Sequence, residues 1–97
     1  KRFSEAAAES CLPPAELKRR ALKDQLDRAA ASVALNLGEA RGRQTKADQK
    51  RFFAIAFGSV RECQAILTLA QLKSSPAWSG LDTLAAHLYR LIERCGG

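Results

Sequence analysis

Residues able to carry out acid–base or metal chemistry are few and scattered in this sequence. The only histidine is His87, and no ExxH, HExxH, Walker loop, GxGxxG or GxSxG pattern occurs. Glu39 and Glu62 could face each other across two neighbouring helices, but two carboxylates without a perturbing pocket do not indicate acid–base catalysis. We therefore expect Asn36, Glu39 and Glu62 to have structural polar roles, in a protein that is not an enzyme and binds no metal and no cofactor.

The three cysteines, Cys11, Cys63 and Cys95, do not form a disulfide pattern. Their number is odd, their spacings are wide and no CxxC pair is present, whereas a disulfide framework needs an even and denser set. We expect each of them to be a small buried apolar residue. The same pattern indicates a reducing compartment, so we expect a cytoplasmic protein.

The basic residues are concentrated in one segment of the chain. The formal net charge is +6, and the segment 41–61 contributes +5 of it, since Asp48 is the only acid there. Such a segment attracts polyanions through counterion release, and nucleic acid is the commonest such partner. The alternative is a solvated helix surface that keeps a small protein soluble. If the segment binds phosphates, the contacts are made by Arg41, Arg43, Lys46, Lys50, Arg51 and Arg61.

Length and composition favour one all-helical domain spanning 1–97. Ala and Leu occupy 18 and 13 positions, and both are strong helix formers, whereas β-branched residues are few. A chain of this length suffices for one modest core and not for two. No apolar run approaches the ~20 residues of a membrane-spanning helix, and no signal-peptide pattern opens the chain. We therefore expect no membrane association.

Apolar residues spaced three and four apart predict four helical segments. The first three cover about 3–10, 14–40 and 46–73, and the fourth begins at a Ser79 cap and ends near Cys95. Thr45 is the predicted N-cap of the third segment. Short connections between long helices predict an up-down antiparallel four-helix bundle with a shortened first helix. Its predicted core is Leu26, Val33, Leu37, Phe52, Ala56, Val60, Cys63, Leu67, Leu84, Leu88 and Leu91.

Three apolar residues of the two middle helices, Leu35, Ile55 and Phe57, point away from these stripes. Gly38 and Gly58 also lie inside helices, where glycine costs about 1 kcal/mol relative to alanine, so a packing reason is expected. Close helix approach between subunits is one such reason. We therefore expect these three apolar residues to form the interface of a homo-oligomer. Scattered exposed apolar residues are also normal on a monomer, which is the alternative.

Several stretches of the sequence, taken in order, resemble one bacterial family. They are LP at 12–13, QLDRAA at 25–30, LNLGEARGR at 35–43 and RFFAIAFGS at 51–59, followed by Glu62. The chain resembles the four-helix-bundle family named for proteins encoded in intervening sequences of the large-subunit ribosomal RNA gene. That family also includes the accessory variability protein of diversity-generating retroelements. The sequence departs from the family pattern at Ala34, where a proline is usual, and at 38–40, where Gly-Glu-Ala replaces Ala-Glu-Gly.

The resemblance implies a homo-oligomeric up-down bundle, commonly a five-membered ring, with a basic surface. For the retroelement proteins it also implies nucleic-acid binding beside a reverse transcriptase. We therefore expect a non-enzymatic homo-oligomer, a pentamer by preference, that binds structured RNA or DNA through its basic surface. A reverse transcriptase is a partner by family analogy only. The alternative is a protein-interaction scaffold with no nucleic-acid role.

Overall fold

The computed structural model describes residues 13–96, which form three α-helices. They are α1 (Pro14–Gly42), α2 (Lys46–Leu69) and α3 (Pro76–Gly96), and this part of the chain contains no strand. The predicted all-α class is confirmed. The predicted four-helix bundle is not supported, because residues 13–96 contain three helices. The short helix expected at 3–10 lies outside the described residues.

The ends of α1 and the start of α2 follow local rules. Pro14 occupies the first turn of α1, and the Pro13 carbonyl oxygen accepts hydrogen bonds from the amides of Glu16 and Leu17, both at 3.0 Å. Proline suits this position because its missing N–H needs no intrahelical partner. α1 continues to Gly42, two residues beyond the predicted end. Thr45 caps α2 as expected, since its side chain accepts a hydrogen bond from the Asp48 amide at 3.2 Å.

α2 ends four residues earlier than predicted, at Leu69, because Gln71 takes a left-handed conformation with φ of 62°. The Leu72 amide donates to the Leu67 carbonyl at 2.8 Å, and the Gln71 amide donates to the Thr68 carbonyl at 3.0 Å. These two bonds are those of a Schellman motif, which satisfies carbonyls left unpaired at a helix end. The left-handed position of this motif is usually a glycine. A glutamine occupies it here, so the sequence carried no signal for the end of α2.

α3 begins at Pro76, so the predicted cap at Ser79 is wrong. The N-cap is Ser75, whose side-chain oxygen accepts a hydrogen bond from the Trp78 amide at 3.3 Å. Pro76 then occupies the first helical position, where its fixed φ is already helical. Ser79 lies inside the helix, and its carbonyl accepts a hydrogen bond from the Thr83 hydroxyl.

The three helices form a flat layer with α2 in the middle. α1 and α3 each pack against α2 and have little contact with each other, and the principal-axis extents are 54 × 32 × 14 Å. One core cluster joins all three helices around Val60 and Leu88, and a second joins α1 to α2 around Cys63. Many fully buried residues are small, which allows close helix approach. These small buried residues include Ala29, Ala40, Ala56, Ser59, Cys63 and Ala85.

About half of the predicted core is buried in this layer. Six of the eleven residues are buried: Val33, Ala56, Val60, Cys63, Leu67 and Leu88. Five others are half-buried: Leu26, Leu37, Phe52, Leu84 and Leu91. Four of these five pack against the core clusters. A single layer of helices leaves them partly uncovered, because no second layer among residues 13–96 lies over them.

α2 is long and apolar enough to cross a membrane when only its length and composition are considered. In the described fold, however, its apolar stripe packs against both neighbouring helices. A central helix of a packed layer has this composition as well, because both of its flanks are covered.

We predict that Leu88→Ala lowers the free energy of unfolding by about 3 kcal/mol, because it removes a fully buried side chain and leaves a cavity. Leu69→Ala is the control. Leu69 is 62% exposed, so its loss should change stability by less than about 0.5 kcal/mol. Urea denaturation at one fixed protein concentration measures both variants. Equal losses would contradict this placement of Leu88.

We predict that Ser75→Ala costs about 1 kcal/mol of stability, because it removes the hydrogen bond that caps α3. Ser79→Ala should cost nothing, since alanine is the better residue inside a helix. The same urea titrations compare the two variants. A larger loss of stability for Ser79→Ala than for Ser75→Ala would instead support Ser79 as the N-cap, as the sequence predicted.

Candidate nucleic-acid interface

The turn between α1 and α2 brings five of the six predicted phosphate-binding residues to one end of the layer. Arg41 and Arg43 lie at the end of α1, and Lys46, Lys50 and Arg51 lie in the first two turns of α2. All five are exposed. The connection is short because Gly42 ends α1 and Thr45 already caps α2.

Arg61 lies apart from this group. It is ten residues beyond Arg51 on the same helix, about 15 Å along the helix axis. Its guanidinium donates to Gln64 at 2.7 Å and to Asp82 at 3.1 Å, and it lies 5.3 Å from the centroid of the Phe57 ring. These contacts tie α2 to α3, so the geometry gives Arg61 a role within the layer.

The end of α3 adds two arginines that sequence reasoning missed. Cys95 Sγ lies 3.9 Å from Gln49 Oε1, and a Cβ added at Gly96 would come within 3.1 Å of Lys50 Nζ. The last turns of α3 therefore lie beside the first turns of α2. The predicted up-down connectivity was the signal that could have identified them, because it places the end of α3 beside the start of α2. We call this end of the layer the basic end, and its basic residues are Arg41, Arg43, Lys46, Lys50, Arg51, Arg90 and Arg94.

Few carboxylates neutralise the basic end. Glu39 accepts from Arg43 at 2.6 Å, both side chains being about half exposed. In the described part of the chain the other six basic residues form no ion pair. Arg94 lies in the last turn of α3 and Arg41 in the last turn of α1, where cations are favoured by the helix dipole. The surface thus carries positive charge that is available to a polyanion and also stabilises two helix ends.

Phe52 lies at the basic end, in contact with two arginines. The guanidinium carbons of Arg43 and Arg51 each lie 4.8 Å from the centroid of its ring. The prediction that Phe52 belongs to the core is wrong: the residue is half-buried and lies outside both core clusters. Arginine faces cover it instead of apolar side chains, because its position near the start of α2 lies beyond the packed middle of the layer.

The outer face of α1 and α2 brings together two of the three predicted interface residues. The Ser32 and Ser59 hydroxyl oxygens are 2.8 Å apart, which sets the antiparallel register of the two helices. Leu35 follows Ser32 by three residues and Ile55 precedes Ser59 by four, so the two side chains lie close on the same face. Leu35 is 68% and Ile55 is 44% exposed.

Phe57 lies on the other side of α2, against α3. It lies two positions after Ile55 in the chain, which places the two side chains about 200° apart around the helix. Its ring centroid is 6.4 Å from that of Tyr89, and it packs against the core cluster of all three helices. The expectation that Phe57 is exposed in a single chain is therefore wrong, because α3 covers it.

The two glycines inside α1 and α2 for which a packing reason is expected, Gly38 and Gly58, have open space around them. A Cβ at Gly38 or at Gly58 would meet no atom within 4 Å. Packing between the described helices therefore does not explain why glycine occupies these positions. Because glycine is unfavourable inside a helix, a contact with a group outside residues 13–96 would give a reason for it at these two positions.

The predicted structural polar residues lie along the α1–α2 contact. The Asn36 side-chain amide donates to the Ser32 carbonyl at 2.8 Å and to its hydroxyl at 3.2 Å. Glu39 pairs with Arg43, whereas Glu62 is exposed. The helix register places Glu39 and Glu62 about ten residues apart, or roughly 15 Å along the axes, so they do not face each other as expected.

Cys63 is a buried thiol and is not activated as a nucleophile. Burial raises the pKa of the Cys63 thiol, and the neighbouring Glu62 carboxylate raises it further. Cys63 therefore stays protonated at neutral pH, and both it and Cys95 are free thiols. Cys11 lies outside the described residues. In the part of the chain that the structure covers, no three His, Cys, Asp or Glu side chains are grouped to hold a metal ion.

Comparison with known proteins gives one match. A family model described as 23S rRNA-intervening sequence protein matches residues 2–93. No curated protein and no solved structure matches the chain. The matched range includes all of the sequence motifs that suggested the family, as well as α1, α2 and most of α3. The chain therefore belongs to the 23S rRNA-intervening sequence protein family.

Proposed function

We propose that this protein is a non-enzymatic, cytoplasmic homo-oligomer that binds nucleic acid electrostatically through its basic end. The observation that carries the proposal is the convergence of three helix ends, which places seven exposed basic residues at one end of the layer. One of the seven is held in an ion pair within residues 13–96. The family name refers to an intervening sequence of 23S rRNA, so structured RNA is the first ligand to test and DNA the second.

Binding would be driven by neutralisation of phosphates and release of their counterions. Contacts of this kind set the position of a protein on nucleic acid and carry no sequence information. The aromatic ring at the basic end, that of Phe52, is already in contact with two arginines, which leaves it poorly placed for base stacking. We therefore expect affinity that varies little with sequence and falls steeply with salt.

Assembly would repeat the basic end around a ring, with a pentamer favoured by the resemblance to the family. The patch formed by Leu35 and Ile55 supports self-association, since these two large apolar side chains are exposed next to each other. The open glycines Gly38 and Gly58 lie on the same two helices, where they would allow close approach of another chain. Repetition of a weak basic surface raises the overall affinity without new contacts. A reverse transcriptase as partner rests on family analogy alone.

The second candidate is a protein-interaction scaffold without a nucleic-acid role. Arg41 and Arg94 lie at helix C-termini, where their charge already serves the helix dipole. Exposed apolar residues beyond the Leu35 patch also favour protein contacts, among them Leu69 and Leu72. Binding measurements decide between the two functions.

We predict that changing Arg43, Lys46 and Lys50 to Gln weakens binding to RNA and DNA alike. The log K against log salt plot should flatten by about 0.7 per lost contact on a single strand and about 0.9 on duplex DNA. Fluorescence anisotropy with a labelled RNA hairpin and a DNA duplex at several salt concentrations measures both quantities.

The matched control for charge changes Lys18, Arg20 and Lys23 to Gln, at the opposite end of the layer. It removes the same formal charge and should keep most of the affinity and slope. Equal losses in the two triple variants would mean that net charge, and not the basic end, drives binding. No binding by the unmodified protein at low salt would favour the scaffold.

We predict that Ile55→Glu reduces the assembled mass, because it places an unpaired charge in the proposed contact at a cost of several kcal/mol. The variant should stay helical, since Ile55 is exposed in the single chain. Leu72→Glu, in the α2–α3 connection, is the control and should leave the mass unchanged. Sedimentation velocity and circular dichroism give both readouts. An unchanged mass for Ile55→Glu would remove this face from the interface.

A further inference from the structure

We propose that Arg43 and Arg51, both in contact with the Phe52 ring, form a clamp for neighbouring phosphates of one nucleic-acid strand, with Phe52 as the residue that positions them. This inference rests on the proposed nucleic-acid binding and adds to it. General phosphate neutralisation needs only charge, whereas a clamp also needs two guanidinium groups held at a defined separation.

The common ring limits that separation. Each guanidinium carbon lies 4.8 Å from the same centroid, so the two carbons are less than about 10 Å apart. Successive nucleotides of one strand rise about 3.4 Å along the helix axis. Neighbouring phosphates of one strand therefore lie within this limit.

Contact with the ring leaves hydrogen-bonding donors of the arginines usable. A guanidinium that stacks on an aromatic ring uses its flat face, and its five N–H donors point outward in the plane. Glu39 accepts from one Nη of Arg43 at 2.6 Å, so other donors of that group remain for a phosphate oxygen. Arg51 has no ion pair among residues 13–96. Both groups can therefore bind phosphate in the paired geometry that arginine favours.

The other cation–aromatic contacts of the layer do not have this arrangement. Arg61 lies over Phe57, but its Nη1 already donates to Gln64 and Asp82. Lys73 lies 5.8 Å from the Trp78 centroid as a single ammonium group. In the part of the chain described, Phe52 alone carries two arginines, and it does so within the basic end.

The test uses substitutions that leave the net charge unchanged. Phe52→Leu removes the ring, and Arg51→Lys replaces a planar group with a compact ammonium that cannot form the paired contact. Phe53→Leu and Arg20→Lys are the matched controls. Phe53 packs against the core and has neither arginine on its ring, and Arg20 is exposed in the first half of α1, away from the basic end and without an aromatic contact in the described structure.

Affinity for a labelled single-stranded oligouridine RNA is measured by anisotropy on the full chain at fixed salt. Phe52→Leu and Arg51→Lys should each bind about fivefold more weakly, because a side chain that must be ordered on binding costs about 1 kcal/mol. The controls should stay within about twofold of the unmodified protein, which is the scale of an ordinary surface change. Circular dichroism verifies that every variant remains helical.

Each outcome decides between the two claims. If the unmodified protein binds and Arg51→Lys binds equally well, the clamp is overturned and the electrostatic proposal stands. The same conclusion follows if the two controls lose as much affinity as the two test variants. If Phe52→Leu does not fold, Arg51→Lys and Arg43→Lys carry the test. If the unmodified protein fails to bind at low salt, the proposed function falls and the clamp falls with it.

Discussion

Close approach of α1 and α3 to the central helix α2 is the constraint on which the rest of the structure depends. Small residues permit it: alanines at the contact are fully buried, and the Ser32 and Ser59 hydroxyls meet at 2.8 Å between α1 and α2. Where the side chains are this small, a helix pair gains stability through many short-range contacts, and a single larger residue would push the axes apart. The same contact fixes the register, which in turn decides which residues of α1 and α2 become neighbours on the outer face.

A single layer of helices cannot enclose its apolar residues. Apart from Leu88, the leucines on the inner stripes of α1 and α3 are half-buried. An apolar groove lined by Leu22, Leu26, Ile66 and Leu67 runs between the first half of α1 and the end of α2. On the opposite side, Leu35 and Ile55 are exposed together. Small domains are marginal because they bury a limited share of their surface. An extended layer buries a still smaller share of its surface, so contacts with another chain would stabilise it.

The periodicity of apolar residues was sufficient to predict the helices. It was not sufficient to predict where they end or which residues of neighbouring helices they contact. The stripes around Val33, Val60 and Leu88 identified the packed faces, because a buried helix face must repeat at 3.6 residues. The end of α2 escaped prediction because Gln71 adopts the left-handed conformation usually taken by glycine. Phe57 resembled Ile55 in the sequence, since both leave the stripe. Their different surroundings depend on which neighbour covers each flank of α2, and that requires the tertiary arrangement.

Which residues belong to the basic end likewise depends more on how the helices pack side by side than on the basic segment 41–61. Arg61 belongs to the segment 41–61 but is held in the middle of the layer, whereas Arg90 and Arg94 are distant in sequence and lie at the basic end. Two of the helix ends that meet there are C-termini, whose partial negative charge favours cations by about 0.3–1 kcal/mol each. The helix dipoles therefore favour Arg41 and Arg94 and offset part of the repulsion among the basic residues. A phosphate backbone would add to this stabilisation, because it compensates the mutual repulsion of cations that the dipoles compensate only in part.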